Sequence, residues 1–359
     1  MPRTLSSAGK FVVLSVILLF LASAILLYAS TGVITSFNPP GAIRADAAGI
    51  NAAGTVVGTW TDSQNVLHGY IRNLSSVVTV VDDPDAGTQS NEGTFIFGIN
   101  DLGQVTGSYN ALDSSGTIEP YGFVRDQYGN YTTFIAPGAV RTWGMSINNS
   151  GVIAGGYSPN EGAEIDGLIR DVSGNITNFA VPNVGYTIVE AINATSQIVG
   201  DFSDATGDHG FVRSPSGAIK TFDAPGAIHT YAVAISNNGV VTGYHVDSTD
   251  GNAVRHGFYR DAQGNIMSFD VPGAGTGDTQ GTYAMGINAA GTITGYYSDS
   301  NSILHGFVRD QSGSFVTFDD PNAGTKTNQG TFPCCINRLG QIAGGFTGTE
   351  GRVRSFVRK

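Results

Sequence analysis

The stretch GTYAMGINAAGTITGYYSDSNSILHGFVRDQSGSFVTFDD, residues 281–320, decides the architecture of this chain. It breaks into four short segments rich in β-branched and aromatic residues. Gly, Asn, Asp or Pro bounds each of them, the mark of strands joined by tight turns. We call these strands A to D in chain order. None keeps a 3.6-residue apolar period, so no helix is expected within the unit. The unit recurs along the chain. Its anchor, an Ile followed by Asn or once by Ser, stands at Ile50, Ile99, Ile147, Ile192, Ile235, Ile287 and Ile336, with spacings of 49, 48, 45, 43, 52 and 49. Self-similarity at such a period marks a solenoid, propeller or array.

Turn chemistry explains the spacing. An N-x-x-G turn follows strand A in five units (Asn51 to Gly54, for example), where Asn caps the turn and Gly supplies positive φ. A D-x-x-G hairpin joins C to D, as at Asp126 to Gly129. Strand C is the most uniform piece: GYIR (69–72), GFVR (122–125), GLIR (167–170), GFVR (210–213), GFYR (257–260), GFVR (306–309) and SFVR (355–358). Nine residues separate each of the first six arginines from the strand-D aromatic or Val, a fixed hairpin register.

The last unit stops after strand C. The missing strand D stands at the other end of the chain, where VITSFNPPGA (33–42) matches IKTFDAPGA (219–227). A ring that joins the termini would remove two exposed sheet edges, whereas an open array gains nothing from this cut. The expected fold is therefore all-β: a seven-bladed β-propeller with four antiparallel strands per blade. It closes by pairing residues of about 33–38 with about 353–358. An open seven-unit array is the alternative. The His-Gly-Phe-Val-Arg strands and Gly-Ile-Asn-x-x-Gly turns resemble the bacterial extracellular HAF-repeat proteins over residues 33–359. That resemblance implies export and a propeller-like fold, with no established reaction. Three units depart from its His position, with Tyr121, Asp166 and Arg354 instead.

Residues 11–30 carry no charge and follow Arg3 and Lys10. Residues 1–30 thus read as an apolar helix, a signal peptide or an N-terminal membrane anchor, with residues 31–359 as one propeller domain. Either reading puts the propeller outside the cytoplasm, with membrane contact only through residues 11–30. A formal net charge of −11 argues against nucleic-acid phosphates as a partner. Charged residues make up 13% and glycines number 50, which suits a turn-dense β-body expected to be monomeric.

Little in the sequence points to chemistry. Cys334 and Cys335 fall in columns of small or apolar residues, which favours packing over the alternative of a vicinal disulfide. His68, His209, His256 and His305 share one place in strand C, too far apart around a ring for one metal ion. They are expected to pack between blades, with the strand-C arginines bonded to carbonyls or to Asp223, Asp270 and Asp319. No metal or cofactor is expected. Structural calcium is the one ion left open, although the acidic stretch DSTDGN (247–252) lacks calcium-loop spacing.

Connections from D to A are long in the units of Ile99, Ile287 and Ile336, and raise one side of the rim. The short-loop units carry Arg44, Arg141, Tyr186 and His229 where the long-loop units carry Gly93, Gly281 and Gly330. Two residues later stands a mostly aromatic column that includes Trp143 and Tyr231, with Asp46 an exception; Glu190 is a lone acid in an apolar inner column. These eight residues, Arg44, Asp46, Arg141, Trp143, Tyr186, Glu190, His229 and Tyr231, are the candidate ligand-binding set or else a plug for the channel. Three functions stay open. One is a binding or scaffold module for a glycan, peptide or protein. The second is a polysaccharide hydrolase or lyase, which requires a strongly shifted acid in an open channel. The third is a purely structural surface protein, which requires a filled one.

Overall fold

A computed structural model describes residues 32–160, 164–247 and 253–359. The expected leader or anchor, its apolar helix and most of the acidic stretch 247–252 lie outside the described residues. The described chain is all-β, with 28 strands and no helix. None of it forms a helix long and apolar enough to cross a membrane.

The strands follow the A-to-D reading. Strands A are Arg44–Ile50, Gly93–Ile99, Arg141–Ile147, Tyr186–Ile192, Ala227–Ile235, Gly281–Ile287 and Gly330–Ile336. Each pairs antiparallel with its own strand B, and B with C, and C with D where D belongs to the same unit. The chain ends pair as expected: Ile34 lies opposite Arg358 and Phe37 opposite Ser355, antiparallel. Phe37 then packs edge-on against Tyr70 at 5.8 Å and beneath the Arg72 guanidinium at 4.8 Å.

Hydrogen bonds between turns join unit to unit. The turn asparagine of one unit donates its side-chain N–H to the turn carbonyl of the next: Asn51 to Asn100, Asn100 to Asn148, Asn148 to Asn193 and Asn193 to Ser236. Asn288 donates to Asn337, and Asn337 donates to Asn51 at 2.9 Å, linking the last unit to the first. The same asparagines accept with Oδ1 from their own turns, as Asn51 does from the Thr55 N–H at 3.0 Å. One side chain thus shapes the turn and ties the neighbour.

The apolar core lies between neighbouring units. Ala343 and Val357 of the last unit pack with Ile50, Val56 and Trp60 of the first. Val57 packs with Ile96, Val105 and Phe123 of the second. Strand-C arginines cover the seams: Arg170, Arg213, Arg260, Arg309 and Arg358 lie 4.8–5.5 Å over Phe134, Phe179, Phe222, Phe269 and Phe318 of the preceding unit. Burial lowers the pKa of Arg170, Arg213, Arg260 and Arg358 from the usual arginine value, and ring faces stand in for part of the lost hydration.

This corrects the expected partners of Asp223, Asp270 and Asp319. They accept from histidines instead. His209 Nδ1 lies 2.7 Å from Asp223, His256 Nδ1 3.0 Å from Asp270, and His305 Nδ1 2.9 Å from Asp319; His68 matches with Asp82 at 2.7 Å. The histidines also stack within their own unit, His68 on Trp60 and His305 on Tyr297, not between units. Five of the arginines donate to the carbonyl of the following residue, the other expected partner, as Arg213 does to Ser214, and Arg72 donates to the Ser76 hydroxyl at 2.8 Å.

Every strand A carries a bulge two residues before its Ile, where the ladder with strand B skips one position. The skipped residues are Ala48, Phe97, Met145, Glu190, Val233, Met285 and Cys334. A glycine in strand B makes room for the bulge. A Cβ on Gly200 or Gly243 would stand 1.9 Å from the carbonyl oxygen of Ile188 or Tyr231. Bulges re-aim side chains. Here they turn one residue of every unit into a shared central channel.

The joining of the termini predicts a local effect of large size. Phe37→Ala removes the contacts with both Tyr70 and Arg72, and should cost about 2–3 kcal/mol in urea unfolding of the full chain. A loss below about 0.5 kcal/mol, the range of a neutral surface change, would mean that the N-terminal strand is not seated.

Candidate functional site

The eight nominated side chains separate into four groups: Arg44 with Asp46, Arg141 with Trp143, Tyr186 with Tyr231 and His229, and Glu190 alone. Arg44 and Asp46 sit two apart on one strand and therefore on one face. They pair with each other through Nε to Oδ2 at 2.6 Å and Nη2 to Oδ1 at 3.1 Å, in the open, away from the other six. Arg141 is held by Glu119 of the preceding unit, Nε to Oε2 at 2.6 Å; Glu119 is almost fully buried. Trp143 walls an apolar cavity of about 250 Å³ with Phe97, Met145 and Ile188.

Tyr186 and Tyr231 belong to a different space. They line an open pocket of about 630 Å³ with Glu164, Ile165, Gly185, Ile188, Asp201 and Asp208, across the third, fourth and fifth units. His229 stands beside it through Asp208. Asp208 pairs across the ladder with Ser203, and Asp201 lies two residues before Ser203 on the same face. Both acids therefore point toward strand A of the fifth unit.

Their environments differ sharply. Asp208 accepts from the Tyr231 hydroxyl at 2.6 Å and from the Ser203 hydroxyl, and its Oδ2 lies 2.9 Å from His229 Nδ1. Burial works against its charge, but these three partners outweigh it and hold the carboxyl below the usual aspartate range. Asp201 is 8% exposed and has no side-chain hydrogen bond among the described residues. Burial first, then the charges of Glu190 and Asp208, push it up to about 8. A protonated acid thus faces an ionised one in the same pocket.

Glu190 is the bulged residue of the fourth unit and opens onto the central channel, a cavity of about 440 Å³. It has no hydrogen-bond partner among the described residues, and burial pushes it up to about 7. The channel is open, with Phe97, Met145, Met285 and both cysteines also on its wall. Cys334 and Cys335 are free and half-buried, Cys335 packs against the apolar cluster of the first unit, and the bulge places Cys334 on the channel wall in the same column as Met285. Rings continue from the pocket into the next units: Tyr231 to Tyr244 at 4.9 Å, Tyr244 to Tyr283 at 5.1 Å, Tyr283 to Tyr296 at 4.6 Å. The rim asymmetry also has a cause. Gly93, Gly281 and Gly330 have φ of 117°, 114° and 125°, and a Cβ there would lie about 2 Å from the carbonyl of Leu67, Arg255 or Leu304.

Asp201, Asp208, Glu119 and Glu164 were not among the sequence candidates. The first two had a readable signal. The residue after the strand-B glycine runs Thr59, Ser108, Gly156, Asp201, Tyr244, Tyr296, Gly345, and the residue before the strand-C His position runs Leu67, Pro120, Ile165, Asp208, Arg255, Leu304, Val353. Each column has one acid, in the fourth unit, as does the column of Glu190. Among the described residues, no three His, Cys, Asp or Glu side chains gather as a metal site.

Solved structures with similar folds share little sequence. A virginiamycin B lyase from Staphylococcus aureus superposes with a TM-score of 0.55 at 14% identity, over 91% of this chain and 99% of the other. An acylaminoacyl peptidase from Pyrococcus horikoshii gives 0.56 at 9% identity, over 90% of this chain and 53% of the other. A puromycin-hydrolyzing peptidase from Mycobacterium tuberculosis gives 0.54 at 11% identity, over 89% and 54%. The chain thus spans about half the length of both peptidases. The likeness establishes a β-propeller-like fold and nothing about chemistry. No family model and no curated protein matches the sequence.

The acids make stability depend on pH in a defined direction. The folded state keeps a proton on Asp201 that the unfolded chain releases near pH 4. Stability contributed by the protonated acid is whole below that pH and is lost as pH rises toward about 8. Asp201→Asn should therefore exceed the natural chain in stability at pH 8.5 by about 2–4 kcal/mol, and match it near pH 4. Equal urea midpoints at both pH values would show that Asp201 ionises freely.

Proposed function

We propose that this chain is an exported, monomeric, seven-bladed β-propeller that binds a neutral glycan in the pocket between its third, fourth and fifth blades. The one observation that carries this reading is the buried Asp201 carboxyl, unpaired, at the wall of an open 630 Å³ pocket. A buried polar group without a partner is costly, and a ligand hydroxyl would supply one. Tyr186 and Tyr231 add flat apolar faces with polar edges, suited to the C–H faces of a sugar ring. The pocket holds Glu164, Asp201 and Asp208, so an anionic ligand is disfavoured. Seven A-to-D units, the paired chain ends and the Asn337–Asn51 bond support the blade count. Export, by signal peptide or anchor, rests on residues 1–30 and fits the HAF-repeat resemblance.

A glycan array probed with the full-length chain in mild detergent tests this reading. Neutral oligosaccharides should be retained and uronates not. Tyr231→Ala should weaken retention at least tenfold, the loss of about 1.4 kcal/mol of contact. Silence across neutral glycans, or binding untouched by Tyr231→Ala, would remove it.

The paired acids favour a second reading, hydrolysis of the bound glycan. Opposed carboxyl environments assign acid and base roles: Asp201 would donate a proton to the leaving oxygen, and Asp208 would accept one from water. Under this reading Asp201→Asn keeps binding and loses release of reducing ends, and activity persists up to about pH 8.

A further inference from the structure

In a regular strand, neighbouring side chains point to opposite faces. Cys334 and Cys335 do not. The bulge between Pro333 and Cys335 breaks the alternation, so both residues line the channel, their sulfurs 2.6 Å apart and beside the Ala343 carbonyl. The neighbouring strand A supplies Met285 from its own bulge, and the two backbones approach closely; a Cβ on Gly286 would lie 3.2 Å from the Cys335 Cα. Met145 lines the same cavity, and Glu190 opens onto it with no hydrogen-bond partner among the described residues. Two thiols and two thioethers share one channel, and among the described residues that line it the one ionisable oxygen group is the Glu190 carboxyl. Thiolate and thioether donors select soft monovalent ions over the divalent ions that oxygen donors prefer.

We propose that the central channel holds a site for Cu(I), built on Cys334 and Cys335, with Met285 as a third ligand. Binding replaces two S–H bonds with two S–Cu bonds and releases two protons, with no change in the oxidation state of sulfur or copper. Met285 donates a sulfur lone pair and releases nothing. Glu190, across the channel, is a base able to take up one of the protons. The site is separate from the pocket at Asp201 and does not depend on glycan binding.

The test is competition for Cu(I) between the full-length chain, reduced and kept free of oxygen, and the chelator bathocuproine disulfonate. The chain should withdraw one Cu(I) per molecule from the coloured chelator complex, and its melting temperature should rise on loading. Cys334→Ser and Cys335→Ser should each abolish the withdrawal. Met285→Leu, which keeps volume and loses the thioether, should weaken it by about tenfold. Any one of three results overturns the proposal: the chelator keeps all its copper, the urea-unfolded chain competes as well as the folded one, or Met285→Leu binds like the natural chain. Circular dichroism of the serine variants separates lost ligands from lost folding.

Discussion

The β-structure depends on one antiparallel pairing, that of Ile34–Phe37 with Ser355–Arg358. Without it the last unit has three strands and an open edge, and the first has no aromatic ring beneath Arg72. Three further contacts cross the same seam: the Asn337 amide on the Asn51 carbonyl, the Tyr70 hydroxyl on Ser355, and the apolar cluster of Ile50, Val56, Ala343 and Val357. All join residues nearly the whole chain apart. Such contacts carry a high loop-closure entropy when made singly, and a far smaller one once a neighbouring contact holds the ends together.

Seven near-identical units would give a chemically uniform wall, and the bulges prevent it. Each inner strand keeps its ladder, its small residue and its anchoring Ile, yet releases one side chain from the sheet. The strand ladder does not constrain that side chain, and the column holds Ala, Phe, Met, Glu, Val and Cys. The strand-B glycines are the structural cost of this freedom, since the carbonyl two residues before the bulged one occupies the space of a Cβ. Acids then accumulate in the fourth unit, where Glu190, Asp201 and Asp208 influence one another's charge. The repeat provides the frame, and departures from it provide the chemistry.

The sequence reading placed the strands well because their signals are local. Strand C and its nine-residue spacing, the Asn and Asp turns and the exchanged terminal strand all follow from patterns within a unit. It placed partners less well. The arginines were expected to meet carbonyls or Asp223, Asp270 and Asp319; they meet carbonyls, and a residue fourteen positions earlier, the strand-C histidine, reaches the three acids across the hairpin. Five of the arginines point the other way, over the phenylalanine rings of the preceding unit, a neighbour that no pattern within one unit reveals. Arg44 and Asp46 looked like pocket residues by column and are in fact each other's partners.

By itself, the sequence determined the all-β class, the four-strand unit, the hairpin register and the complementarity of the chain ends. These rest on turn residues and side-chain alternation over a few positions, where backbone sterics act alone. Only the tertiary structure decided which side chains share a cavity. A bulge shifts direction by one residue, and the meeting of Asp208 with Tyr231 and His229, or of Met285 with Cys334, depends on the contact of separate units. That is why two adjacent cysteines face one channel and why an acid unremarkable in its own strand stands unpaired at the wall of a pocket.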